Sequence, residues 1–196
     1  MVNLAIFASG GGTNFQALID ATESGLIDAK ITLLMIDRNS ASAKNRAQKH
    51  DIDSVFIGRK QFLDAYEMNT YILKKLKEYE IDAIVLAGYL GIVGSAIIQA
   101  FPERIVNIHP ALIPKYSGKG YYGMKIHQQV ILNQEKMTGV TIHYVDEGID
   151  TGRIIVQETV AVQSEDTPET LAQRVLKVEH RLLVETIGNL AEEWKL

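Results

Sequence analysis

The sequence contains no cysteine, which excludes disulfides, thiolate nucleophiles and zinc held on sulfur, and makes a reducing compartment, the cytoplasm by default, the expected location. It has no long apolar run. The apolar stretch over residues 2–9 falls far short of the roughly 20 residues that span a bilayer and no basic leader precedes it, so no membrane partner is expected. Positive charge is not in surplus either: the formal net charge of −4 offers no basic face for a polyanion, so no nucleic-acid partner is expected. The 5 histidines form no H-x-H or H-x-x-x-H pair, so no metal is expected. What is present is an ordinary globular balance, 46% hydrophobic and 22% charged in 196 residues, with no internal repeat, low-complexity tract or linker. One domain over 1–196 is the expectation.

Apolar strands alternate with helical periodicity along most of the chain. Residues 2–9 read as a strand that ends in Gly10-Gly11-Gly12, and residues 14–23 carry Phe15, Leu18 and Ile19 at helical spacing. Strands at 30–37, 54–57, 82–87 and 104–109 follow, with helices at 41–50 and 61–79 between them. Such a pattern predicts an α/β fold, Rossmann-like, whose mostly parallel sheet has helices on both faces. A loop over 110–123, expected to be mobile, leads to a helix at 124–133. Strands at 139–145 and 153–162 then add an antiparallel pair near the C-terminus. Pro168 after Thr167 starts the last helix, because proline's missing N–H costs nothing at the first helical position.

Three segments carry polar groups where an α/β sheet places its sites. The glycine run lies between a strand and a helix, so its N–H groups and the helix dipole can converge on an anion. Phe15 stands where the dinucleotide fingerprint needs its third glycine, and no P-loop lysine follows, so neither NAD nor ATP fits; a tight turn without ligand is the plain alternative. Asn107 and His109 share one face of the strand that Pro110 ends, at its carboxyl edge. A hydrogen-bonded core pair would also account for them. Asp146-Glu147-Gly148-Ile149-Asp150-Thr151-Gly152 is either a solvated acidic turn or the source of a carboxylate for His109. Its glycines point to unusual backbone angles. Asp150 beside the imidazole would orient it and favour its charged form, with burial acting the other way. His50, His127 and His143 read as structural.

Taken together, residues 8–17, 86–89, 107–114 and 145–152 with Glu179-His180 resemble the phosphoribosylglycinamide formyltransferases along nearly the whole chain. The segments around Asn107-Ile108-His109-Pro110 and Asp146 to Gly152 are common to other folate formyltransferases, whereas the glycine loop and Glu179-His180 point to the ribonucleotide acceptor. The resemblance implies an enzyme that transfers formyl from 10-formyltetrahydrofolate to N1-(5-phospho-D-ribosyl)glycinamide in purine biosynthesis, without metal, as a monomer or homodimer. It implies that Asn107, His109 and Asp150 are catalytic. Gly12, Thr13 and Asn14 would hold the phosphate, and Leu176, Lys177, Val178 and Glu179 the ribose and amine end. Leu90, Gly91, Ile92, Val93, Asn107, Asp146, Glu147, Gly148, Ile149 and Asp150 would receive the folate. Many relatives carry arginine where this chain has Gly91, so that side chain's contribution is absent. Transfer to methionyl-tRNA or a sugar amine, folate deformylation, and a non-catalytic nucleotide-binding module are the competing readings.

Overall fold

A computed structural model describes residues 1–195. Seven strands form one sheet in the order β3-β2-β1-β4-β5-β6-β7: β1 Val2–Ala8, β2 Ala29–Ile36, β3 Asp53–Phe56, β4 Ala83–Leu86, β5 Ile105–His109, β6 Met137–Tyr144 and β7 Ile154–Ala161. The first five are mutually parallel, and β6 pairs antiparallel with both β5 and β7. This is the architecture expected, including the added antiparallel strands.

Strand periodicity explains the layers. Along β1, Leu4, Ile6 and Ala8 pack into one apolar cluster and Ala5 and Phe7 into the other, because successive side chains point to opposite faces. The first face is covered by α1 Thr13–Glu23, α5 Met124–Leu132 and the long α6 Pro168–Trp194. Ala43 and Ala47 of α2 Ala43–Lys49 join that cluster. The opposite face is covered by α3 Ala65–Glu78 and α4 Ser95–Ala100. Phe15, Leu18, Leu183 and Ile187 are fully buried where α1 meets α6, and each such side chain contributes about 1.5–3 kcal/mol of burial free energy.

Two helix starts follow local chemistry that apolar periodicity does not report. The helix expected from residue 61 begins at Ala65, after a 3-10 turn Arg59–Gln61. Asp64 accepts from the Glu67 N–H at 2.8 Å while the Glu67 carboxylate accepts from the Leu63 N–H at 2.7 Å, a reciprocal cap. The six-residue α4 was not expected, being too short for periodicity to mark. At α6, Thr167 and Thr170 cap each other and Pro168 opens the helix as expected.

Because β2 lies on one side of β1 and β4 on the other, the loops that leave β1 and β4 diverge, opening a crevice at the carboxyl edge of the sheet. The Ser9 N–H donates to the Gly88 carbonyl at 3.1 Å and the Leu90 N–H donates to Ser9 Oγ at 2.8 Å. The crevice floor is thereby tied together.

The glycines of the acidic turn serve a different purpose from the one expected. Neither Gly148 nor Gly152 has a positive φ; the left-handed residue is Asp150, at φ 57. Instead they permit close approach: a Cβ on Gly148 would lie 1.9 Å from Thr151 Oγ1, and one on Gly152 would lie 1.8 Å from the Tyr144 carbonyl oxygen. Tyr144 is fixed in the hairpin, its N–H donating to the Arg153 carbonyl, so the backbone has little room to yield. Gly152→Ala is expected to destabilise the protein by about 1–3 kcal/mol, the usual range for forced overpacking. Urea unfolding checks this, and an unchanged midpoint would show that the hairpin can give way.

Candidate functional site

One cavity of about 880 Å³ runs along the crevice. Its walls come from the glycine loop, the segment after β4, the end of β5, the 118–124 part of the long loop, the turn after β6 and the start of α6. Gly12, Thr13 and Asn14 line one end. Gly12 sits at φ 70 as the N-cap of α1, a backbone angle that glycine adopts without strain. None of the N–H groups of Gly11, Gly12 and Thr13 has an acceptor among the described residues. They are free to donate to an anion.

Asn14 joins this end to α6: its Nδ2 donates to the Glu179 carboxylate at 2.7 Å, both side chains being buried. Burial pushes the Glu179 carboxyl up, with the Asn14 hydrogen bond acting against it. The buried Oδ1 of Asn14 has no partner among the described residues. Of the four α6 positions expected to hold substrate, Leu176 and Glu179 line the cavity, while Lys177 is exposed and Val178 packs against the core. All of Leu90, Gly91, Ile92 and Val93 line the wall after β4, and Asp146, Gly148, Ile149 and Asp150 line the wall opposite; Glu147 does not.

The centre is built on the pairing of β5 with β6. In register, Asn107 stands opposite His143 and His109 opposite Thr141. Asn107 Nδ2 lies 3.0 Å from His143 Nε2 and 3.5 Å from Asp150 Oδ1. His143 Nδ1 lies 2.8 Å from the Tyr144 carbonyl oxygen, which can only accept. His143 therefore carries a proton on Nδ1, and in the neutral ring its Nε2 lone pair faces the Asn107 NH₂. One N–H of Asn107 is directed at His143, and the second makes only the long 3.5 Å contact with Asp150 Oδ1.

His109 is brought to Asp150 as expected, at 3.7 Å between Nδ1 and Oδ2, which is a charge contact rather than a hydrogen bond. Its Nε2 donates to the Tyr116 carbonyl at 2.8 Å. The Gly118 N–H donates to Asp150 Oδ2 at 2.9 Å, so the 110–123 loop touches both members of the pair. Burial pulls the His109 imidazole below the ordinary histidine value and outweighs the pull upward from Asp150 and the Tyr116 carbonyl. The sequence expectation that a carboxylate favours the imidazolium thus describes one of two opposing effects, and desolvation is the larger here. For Asp150, burial raises the carboxyl, yet the two imidazoles and the Gly118 N–H more than offset it and leave it below the usual range.

His143 and the loop contacts at Tyr116 and Gly118 were not legible in the sequence. The period-two alternation of β6 puts Thr141 and His143 on one face, but only the register shows that this face meets Asn107 and His109. Thr141 helps place the loop, donating to the Ala111 carbonyl at 2.6 Å and accepting from the Ile113 N–H at 3.2 Å.

A mostly parallel sheet whose carboxyl-edge crevice joins a glycine loop at a helix start to an amide–imidazole–carboxylate cluster has the form of an α/β small-molecule site. The comparison with known proteins is narrower: residues 2–187 match the formyl transferase family, and the chain belongs to it. The chloroplastic phosphoribosylglycinamide formyltransferase of Arabidopsis thaliana is 40% identical over 97% of this chain, which spans 65% of that relative's length. The phosphoribosylglycinamide formyltransferase of Bacillus subtilis is 36% identical over 97% of this chain and 95% of its own. The crystal structure of the Bacillus halodurans phosphoribosylglycinamide formyltransferase superposes with a TM-score of 0.90 at 41% identity, over 96% of this chain and 94% of that one. Among the described residues no group of three or more metal-ligating side chains converges, and no helix is long and apolar enough to cross a membrane.

Two expected outcomes follow from the imidazoles. Nitrogen-15 NMR of His143 should find its proton on Nδ1; a proton on Nε2 would reverse the Asn107 amide. His127, on the cavity wall and 5% exposed, is lowered to about 4 by burial. Its neutral form favours the folded state, so that contribution is complete above pH 6.5 and is lost as pH falls through 6.5 toward 4. The loss is up to about 3 kcal/mol. Unfolding free energies from urea at pH 7.5 and 4.5 should differ less in His127→Leu than in wild type, by about 2–3 kcal/mol, and equal pH dependence would show that His127 is solvated.

Proposed function

We propose that this chain transfers the formyl group of 10-formyltetrahydrofolate to the amine of N1-(5-phospho-D-ribosyl)glycinamide, giving formylglycinamide ribonucleotide and tetrahydrofolate in purine biosynthesis. The observation that carries the reading is that one cavity connects the unpaired N–H groups at Gly11 to Thr13 with the Asn107, His109 and Asp150 cluster. Membership of the formyl transferase family and the names of the relatives agree with it. We further propose that residues 1–196 work as one domain, since both apolar clusters share a single sheet, and that a cysteine-free chain acts in the cytoplasm, as a monomer or homodimer without membrane or nucleic-acid partners.

In this reading the phosphate sits at Gly12, Thr13 and Asn14, and Glu179 with Leu176 meets the ribose and the amine end; Lys177 and Val178 would act through the helix that carries them. The folate lies between Leu90 to Val93 and Asp146 to Asp150, with Glu147 at the edge. The neutral amine attacks the formyl carbon, the bond from that carbon to the folate nitrogen breaks, and a proton passes from the amine to that nitrogen. Negative charge grows on the formyl oxygen meanwhile. The second N–H of Asn107, turned from Asp150 to the oxygen, and His109 Nε2, released from the Tyr116 carbonyl, are the donors for it. His109 starts neutral because it is buried. An oxyanion at hydrogen-bond distance would add to Asp150 in raising its pKa, so the charged imidazole is favoured as the transition state forms.

Turnover with the ribonucleotide, measured beside methionyl-tRNA, a sugar amine and water as formyl acceptors, tests the assignment; formyl transfer to any of the latter three in preference would overturn it. Asn107→Ala and His109→Ala are each expected to lower kcat by about a hundredfold to a thousandfold. Asp150→Asn should lower both kcat, by about a hundredfold, and the His109 titration midpoint. A folded variant that keeps most of its kcat would remove that residue from the mechanism.

A further inference from the structure

The glycine loop is held from α2 as well as from its own helix. The Ala43 N–H donates to the Gly10 carbonyl at 3.1 Å and Arg46 Nε donates to the Gly11 carbonyl at 2.8 Å. In a trans peptide the carbonyl and the following N–H lie in one rigid plane and point in opposite directions. Fixing the Gly10 carbonyl therefore aims the Gly11 N–H, and fixing the Gly11 carbonyl aims the Gly12 N–H. These are the same N–H groups that have no acceptor among the described residues.

Arg46 is itself braced. Its Nη1 donates to Gln16 Oε1 at 3.1 Å, and Gln16 Nε2 donates to Asp20 Oδ1 at 2.8 Å. Gln16 Nε2 also stands 3.1 Å from His50 Nε2, and His50 Nδ1 is 2.7 Å from Glu23 Oε1. An arginine can only donate, so the Gln16 oxygen must face it and the Gln16 nitrogen must face His50. His50 Nε2 then accepts, and its proton lies on Nδ1 toward Glu23. Each group in the chain has one consistent assignment.

We propose that Arg46 is a positioning residue for the substrate phosphate, turning the Gly12 N–H into the cleft by anchoring the Gly11 carbonyl and not by contact with the anion, with Gln16 and His50 holding the guanidinium in place. Arg46 is absent from the cavity wall, as this role requires, and its planar fork reaches the carbonyl and Gln16 together, which a lysine cannot do. The proposal rests on the reading that a phosphate occupies the glycine loop.

Inorganic phosphate titrated into nitrogen-15-labelled wild type, Arg46→Gln and Arg46→Lys, with the Gly11 and Gly12 amides followed by NMR, separates the two ideas. Steady-state kinetics with both substrates accompany it. Phosphate should shift both amides in wild type and bind more weakly to both variants. KM for the ribonucleotide should rise about tenfold in each, while kcat and KM for the folate stay within about twofold, the pattern of lost uniform binding. Wild-type amides that ignore phosphate would overturn the phosphate reading and this proposal with it. Amides that respond in wild type and equally in Arg46→Gln, or full recovery in Arg46→Lys, would overturn the positioning role alone, the latter by showing that charge suffices.

Discussion

The register of β6 against β5 is the constraint on which the centre depends. With side chains alternating at period two, a slip of one residue would turn Asn107 toward Ile142 and carry its partner to the other face of the sheet. In the observed register His143 meets Asn107, Thr141 lies beside His109, and the Tyr144 carbonyl settles the proton of His143. Gly152 enters the same argument, because its missing Cβ lets the turn pass against that carbonyl. Packing at one glycine is thus connected, through one carbonyl and one imidazole, to the direction in which the Asn107 amide donates.

Most of the fold was legible because its strands are apolar on both faces and its helices are long enough for periodicity to show. The departures occur where local hydrogen bonding sets the boundary, as at the reciprocal Asp64 and Glu67 cap, or where an element is too short to carry a period, as in α4. For the site, Asn107 and His109 could be placed on one strand face, and the glycine loop at a helix start, from spacing alone. Asp150 could be offered as a partner for His109 but not told from a solvated carboxylate, since its approach to His109 depends on a left-handed residue within the turn. His143 and Arg46 were passed over for one reason: each acts on a group distant in sequence, and neither belongs to a motif with a spacing that chemistry requires.

The electrostatics of the centre show why burial has to be weighed against charge at each residue. Asp150 and His109 share an environment, yet burial governs the imidazole and hydrogen bonding governs the carboxylate. The difference lies in their partners. Asp150 accepts a backbone N–H and lies near two imidazoles, whereas His109 has one carbonyl and a carboxylate beyond hydrogen-bond distance. In the proposed reaction a charged carboxylate beside a neutral imidazole suits a neutral amine nucleophile, since neither group needs to change charge before the formyl carbon is attacked.

The glycine at position 91 can be read in the same physical way. A Cβ there would lie 2.4 Å from the Tyr89 hydroxyl and 2.5 Å from the ring carbon that bears it. The Tyr89 ring is 9% exposed and stands edge-on against Phe7, with centroids 5.4 Å apart, so it is anchored in the core beneath β1 and β4 and cannot simply turn aside. Restoring a side chain at 91 would mean displacing a packed aromatic ring from the wall of the cavity. Tyr89 and Gly91 are therefore one steric unit, in which the ring fills the space that a side chain at position 91 would need. The wall at this point consists of backbone and aromatic surface, suited to a flat ligand held by main-chain groups.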